Sequence, residues 1–241
     1  MVSQSPPQSH QIYPDSDGKP MADNTEQFRW IVTIQQNLDW LFAEDPNVFV
    51  AGDLLWYPVE GHREICTAPD TLVVLGRPKG KRGSYKQWEE AGIAPQVVFE
   101  ILSPSNTLTE MNKKQVFYDR YNVEEYYLYD PDKNDLSGWL RVDRNFDVID
   151  PIDQWVSPRL GIRFSLNETL QIYRPDGRLF LSYIEIAQQV EQERQRAEQE
   201  RQRAEQESLR AEQERQRAEQ ERQRADRLAE QLRRMGINPE E

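Results

Sequence analysis

Apolar residues fall at helical spacing in "DNTEQFRWIVTIQQNLDWLFAED", where Phe28, Ile31, Ile34, Leu38 and Leu41 share one face. Asn24 or Thr25 stands where the N-cap of that helix belongs. The pattern then changes. "NVFVAGDLLWYPVEG", "EICTAPDTLVVLG" and "PQVVFEILSPS" carry short runs of β-branched and bulky apolar residues bounded by Gly, Pro, Asp and Ser, which predicts three strands. Helical spacing returns in "TLTEMNKKQVFYDRYN", with Leu108, Met111, Val116 and Tyr118 or Tyr121 near the apolar face. A fourth strand follows in "EEYYLYDP". "SGWLRVD", "FDVID", "LGIRFSL" and "LQIYRPDGRLFL" predict further strands, the last folded about the turn "RPDGR". A helix before the strands and another between the third and fourth predict an α/β domain with a mixed, α+β sheet.

Beyond residue 187 the pattern becomes a seven-residue repeat, "AEQERQR". Ala197, Ala204, Ala211, Ala218 and Ala225 hold one phase, which Tyr183 and Val190 extend backward and Leu232 forward. The second core position of each heptad is Glu193, Glu200, Glu207, Glu214 and Glu221 in turn, and only Ile186, Leu228 and Met235 make it apolar, at the ends. A self-sufficient coiled coil needs both positions apolar. Glu and Arg three and four apart support the isolated helix by about 0.2–0.5 kcal/mol per pair. One helix of roughly 75–80 Å follows from the rise per residue. It acts either as a charged spacer or as a weak homo-oligomerisation element. The expected division is therefore a flexible N-terminal segment over 1–24, rich in Pro, Ser, Asp and Gln, which wanders or lies along the surface, a globular domain over 25–187, and the heptad helix over 188–241.

Charge and composition narrow the class. The chain has 241 residues and a formal net charge of −12. The repeat from Gln188 onward holds twelve Arg and no Lys against fourteen acids, so most of the negative balance lies in the globular part. That balance argues against indiscriminate coating of nucleic acid, and the matched charges of the repeat argue against a nucleic-acid-binding tail. Cys66 is the single cysteine, and His10 and His62 are the only histidines, so no internal disulfide and no Cys- or His-based zinc site is expected. No apolar run is long enough for a membrane span and no secretory signal opens the chain, which predicts a cytoplasmic protein.

One residue disturbs the strand pattern. Glu100 lies inside "VVFEIL", where a bare carboxylate would cost several kcal/mol without a partner or a cation. Upstream, "APDTLVVL" sets Asp70 at the mouth of another apolar strand. Two acids on adjacent strands suit a hard divalent cation such as Mg²⁺, with Mn²⁺ an alternative. A metal there could activate water for phosphoryl chemistry. "NKKQVFY" adds Lys113 and Lys114 on the following helix, Lys114 sharing a face with Tyr118. Each of these residues also has a bland reading: Asp70 as a turn residue, Glu100 satisfied by protein donors, and the lysines as solvent-facing. The loop "RPKGKRGSYK" carries Arg77, Lys79, Lys81, Arg82 and Lys86 with no acid among them, and it could hold DNA phosphates.

Together "GDLLWYPVEG", "APD", "FEILSPSNT" and "KKQVFYDRYNVEEYYLYDP" resemble the Uma-type restriction endonucleases, a branch of the PD-(D/E)XK nuclease superfamily, over residues 11 to 187. The resemblance implies a restriction-endonuclease-like core, a mixed sheet flanked by helices, and Mg²⁺-dependent phosphodiester hydrolysis. It assigns Asp70 and Glu100 to the metal and Lys114 to catalysis. A third acidic ligand, Asp53 ahead of Glu26, completes the set. The superfamily lysine belongs two residues after Glu100, where this chain has Leu102; the Uma-type pattern takes it from the helix instead. Two functions remain open on this reading. One is a metal-dependent DNA endonuclease whose C-terminal helix gathers several catalytic domains. The other is a catalytically silent nuclease-fold module that serves binding or assembly.

Overall fold

The computed structural model describes residues 13–18 and 20–235. His10 lies outside them, as does most of the segment expected to be flexible. The chain divides into two compact units after Tyr183.

The first unit opens with α1 (Thr25–Leu41), capped as its sequence requires: the Asn24 side chain accepts from the Gln27 amide. Ten strands follow: β1 (Val48–Ala51), β2 (Trp56–Tyr57), β3 (Thr71–Leu75), β4 (Tyr85–Lys86), β5 (Val97–Ile101), β6 (Glu125–Asp130), β7 (Asp135–Val142), β8 (Asn145–Val148), β9 (Arg163–Leu166) and β10 (Leu170–Tyr173). A second helix, α2 (Leu108–Arg120), lies between β5 and β6 and starts on a full capping box between Thr107 and Glu110. Six strands form one sheet in the order β1-β3-β5-β6-β7-β8, and two small sheets pair β9 with β10 and β2 with β4. Only β5 and β6 run parallel in the large sheet. The α2 crossover allows that pairing, because parallel strands cannot be joined by a tight turn. The architecture is a mixed α/β domain with an N-terminal helix.

Both faces of the sheet are covered, which explains the continuous apolar run of β5. Val97, Phe99 and Ile101 face α1 and the β9–β10 pair, in a core that includes Ile31, Ile34, Leu38, Tyr127 and Phe164. Val98 faces the other way, with Leu72, Val74, Trp56, Tyr85, Tyr118 and Tyr126. By the two-residue period of a strand, Glu100 shares the face of Val98 and looks toward α2. Three expected burials fail: Phe28, Leu108 and Val116 are exposed. α2 instead buries Met111 and Tyr118, with Lys114 on the stripe between them.

α3 (Tyr183–Arg234), 52 residues with none buried, starts at the last residue of the first unit and forms the described part of the second apart from Met235. Within it Glu198 accepts from both Arg201 and Gln202, and Glu191, Glu212 and Glu219 each accept from a Gln four residues on. Of these, Arg201 with Glu198 is the Glu–Arg pair the repeat predicts, while the other four take Gln as the donor four residues on.

Candidate active site

A cavity of about 460 Å³ opens where β3 begins and β5 ends. Asp53, Asp70, Glu100 and Lys114 all line it, as do Lys113, Gln27 and Asp23. Antiparallel pairing of β3 with β5, Thr71 opposite Phe99, brings Asp70 beside the end of β5. One oxygen of Asp70 accepts from the Ile101 amide at 2.7 Å. Glu100 is 2% exposed, and both its oxygens have donors: Lys114 Nζ at 2.7 Å on Oε2 and the Tyr118 hydroxyl on Oε1. Lys114 reaches inward because its position on α2 falls on the stripe of Met111 and Tyr118. Its ammonium also approaches the Ala68 carbonyl at 3.5 Å.

Asp53 follows a different route. Its φ of 47° places it in the left-handed region, which Asp tolerates better than most side chains. Its amide donates to the Pro69 carbonyl, joining the turn after β1 to the approach of β3.

The electrostatics of the cavity are tense. Burial pushes the Asp70 carboxyl well up, and the Glu100 charge adds to that; Lys114 and the Ile101 amide oppose it without cancelling it. Burial also raises Asp53, with Asp17 and Glu100 contributing. Burial pulls Lys114 down, but Glu100, Asp70 and Asp53 outweigh it, so the ammonium is held above its ordinary value. Two lysines therefore share a cavity with several carboxylates that repel one another. Among the described residues no group of three or more His, Cys, Asp or Glu is gathered closely enough to hold a metal ion. The all-oxygen donor set nonetheless fits a hard cation, and Asp70 and Asp53, each raised by burial and by the Glu100 charge, mark where positive charge is short.

Glu26, the second choice for a third ligand, is not among the residues that line the cavity, and its carboxylate accepts from Arg29 and from the indole of Trp30. Its neighbour Gln27 turns into the cavity instead, its Nε2 donating to the Ile101 carbonyl at 2.9 Å. Nothing in the spacing of α1 distinguished these two residues. The segment just before α1 contributes to the site as well. Tyr13 packs against Tyr57 and Trp88, and the Tyr57 hydroxyl donates to the Pro14 carbonyl. Asp23 accepts from Ser103 and Ser105. Residues 13–18 and 20–24 thus lie along the domain and wall the cavity with Asp17, Met21 and Asp23.

The basic loop is placed elsewhere. The Gly76 amide donates to the Asn47 carbonyl and that of Lys79 to Pro46, so the loop leaves from the end of β3 opposite Asp70. Arg77 and Arg82 both bind Glu90, and Lys79 binds Asp39. Lys86 pairs loosely with Glu89 at 3.4 Å, while Lys81 is exposed. "KQWEEAG" supplies both of those glutamates, so the loop's positive charge is largely matched a few residues downstream.

No curated protein matches the chain. A crystal structure described as "a putative nuclease belonging to DUF820 from Anabaena variabilis ATCC 29413" is similar in fold, with 18% identity over 61% of this chain and 81% of that one and a TM-score of 0.46. The family model Uma2, described as "Putative restriction endonuclease", matches residues 16–171, which contain Asp53, Asp70, Glu100 and Lys114. On that match, the chain belongs to the Uma2 family of restriction-endonuclease-like proteins.

Proposed function

We propose that this protein is a divalent-metal-dependent endonuclease that hydrolyses the phosphodiester bonds of DNA. The observation that carries the reading is the meeting of Asp70 just before β3, Glu100 in β5 and Lys114 in α2 in one cavity. Asp70 and Glu100, with Asp53, would hold Mg²⁺ or Mn²⁺. A divalent cation in such a site lowers the pKa of water and offsets charge on the phosphoryl group. Lys114, kept protonated by the carboxylates around it, offers an ammonium to the charge that develops on the phosphate. Burial and the Glu100 charge favour the protonated form of Asp70, so cation uptake there is coupled to proton release. Gln27 fixes the Ile101 carbonyl and Tyr118 fixes Glu100, which keeps the carboxylates in place. Lys113 at the cavity, with Lys81 and Lys86 further off, are the candidates for phosphate contact.

Supercoiled plasmid incubated with Mg²⁺ or Mn²⁺ tests the reading, beside Asp70→Ala, Glu100→Ala and Lys114→Ala. Nicking by the wild type that each substitution abolishes is the expected result. Nicking that survives Glu100→Ala would count against it.

Two observations favour a second reading, a catalytically silent nuclease-fold module for binding or assembly. Protein donors already occupy both oxygens of Glu100, and Leu102 replaces the superfamily lysine. Calorimetric titration with Mg²⁺ separates the two: the nuclease takes up the ion with proton release, and the silent module gives no heat of binding.

A further inference from the structure

At the a and d positions of its heptads α3 carries large apolar side chains only near its two ends; Leu209, midway along, stands at position f, away from that seam. Taking each repeat Ala as core position a, the N-terminal end presents Tyr183 and Val190 at a and Ile186 at d. The C-terminal end presents Leu232 at a, with Leu228 and Met235 at d. Val190 is 60% exposed, Leu228 50% and Met235 71%. In the four heptads between, a is Ala and d is Glu.

We propose that α3 pairs with the α3 of a second copy in antiparallel register centred on residue 209. In that register Val190 meets the second copy's Leu228, Ile186 meets Leu232, and Tyr183 meets Met235. Both apolar ends are covered at once. A parallel pair would cover them too, so the glutamates decide the direction. Parallel pairing in register sets each d-position Glu against its own copy across the axis, as Glu207 against Glu207, throughout the central heptads. Like charges facing one another in a helix pair are destabilising.

Antiparallel pairing sets every such Glu opposite an Ala, as Glu207 opposite Ala211. The small side chain leaves room for the Glu methylenes, and the carboxylate can reach Arg210 beside that Ala. The same register holds for every heptad, because each a position from 183 to 232 meets a d position of the other copy. The pair would carry its two globular units at opposite ends of a rod of roughly 80 Å, by the rise per residue of a helix. That differs from the side-by-side arrangement suited to cutting both strands at one place. The inference is independent of whether the globular unit is a nuclease or a silent module.

The test uses the full chain with Val190→Cys or Leu228→Cys, treated with a short thiol–thiol cross-linker alone and as a mixture of the two. Both positions are exposed on α3, and the unmodified chain controls for Cys66. The expected result is a covalent dimer in the mixture and none in either variant alone. A dimer formed by each variant with itself would overturn the proposal in favour of parallel pairing. Absence of cross-links in all samples, with sedimentation at the mass of one chain, would overturn it in favour of a solitary spacer helix.

Discussion

Replacing Lys114 by Met removes the cation nearest Glu100 while keeping the length of the stem that packs along α2. Glu100 is 2% exposed and its Oε2 lies 2.7 Å from the Lys114 ammonium. Breaking a fully buried pair by deleting one partner costs about 3–5 kcal/mol, because the other charge is left uncompensated. The Lys114 side chain is 27% exposed at the cavity, so water screens part of that loss. We expect about 2–3 kcal/mol. Neutralising the survivor should recover part of it: Lys114→Met with Glu100→Gln is expected to be more stable than Lys114→Met alone. Urea unfolding of the wild type, both single variants and the double variant measures the interaction, with a shift in midpoint at unchanged slope as the readout. Residues in direct contact show interaction energies of about 0.5–3 kcal/mol, whereas independent sites add within about 0.5 kcal/mol. Additivity within that error would refute the claim that Glu100 depends on Lys114 and would remove the electrostatic basis of the site.

Three other outcomes follow from the same geometry. Tyr118→Phe leaves Glu100 Oε1 without its donor in a buried position, and a loss of about 1–3 kcal/mol is expected in thermal or urea unfolding; an unchanged midpoint would count against that hydrogen bond. Asp70 has a folded pKa raised above its unfolded value, so its favourable contribution is complete below about pH 4 and is lost as pH rises through the raised value. Asp70→Asn should therefore exceed the wild type in urea midpoint at pH 7, the gain closing toward pH 4, and a gain independent of pH would contradict the assignment. At Gly138 a Cβ would meet the Cδ1 ends of Ile152 and Ile149 at 2.7 and 3.0 Å, which can turn aside, and the buried Tyr127 ring at 3.2 Å, which has less room to move, so Gly138→Ala should lower the melting midpoint by a loss of about 1 kcal/mol.

How much of this was legible beforehand depended on whether a residue's role was local. The cap of α1 at Asn24, the strand around Glu100 and the start of α2 all follow from neighbours within a few positions, and each formed as read. The face of α2 was harder. Leu108 and Val116 are apolar yet exposed, while a lysine lies on the buried stripe with Met111 and Tyr118. Apolar periodicity finds the face that meets an apolar surface; here α2 meets a sheet that presents Glu100, and the lysine is what that carboxylate requires. Gln27 shows the same limit. Its partner, the Ile101 carbonyl, lies 74 residues away, and a shift of one position along α1, from Glu26 to Gln27, separates a surface pair from the cavity. Residues 13–24 have no periodicity at all, and Tyr13 is held by aromatic contacts to Tyr57 and Trp88 that only the folded chain creates.

The ion pair at Glu100 bears on both functional readings, because it can be either a finished structural contact or the resting state of a site. The surroundings favour the second. If Lys114 were there only to neutralise Glu100, one carboxylate and one ammonium would suffice. Instead the cavity also holds Asp70 and Asp53, both pushed toward protonation partly by the Glu100 charge, with Lys114 insufficient to offset it. A fold selected for stability alone gains by replacing such acids with neutral residues, since buried like charges cost more than they return. Keeping three carboxylates around one opening is costly in the metal-free protein. A divalent cation would reverse that cost, since it stabilises the ionised form of each carboxylate it contacts. The same residues would then release protons and gain stability on adding Mg²⁺. The calorimetric titration reads the proton release and urea unfolding with and without Mg²⁺ reads the stability, and Asp70→Asn should diminish each of them.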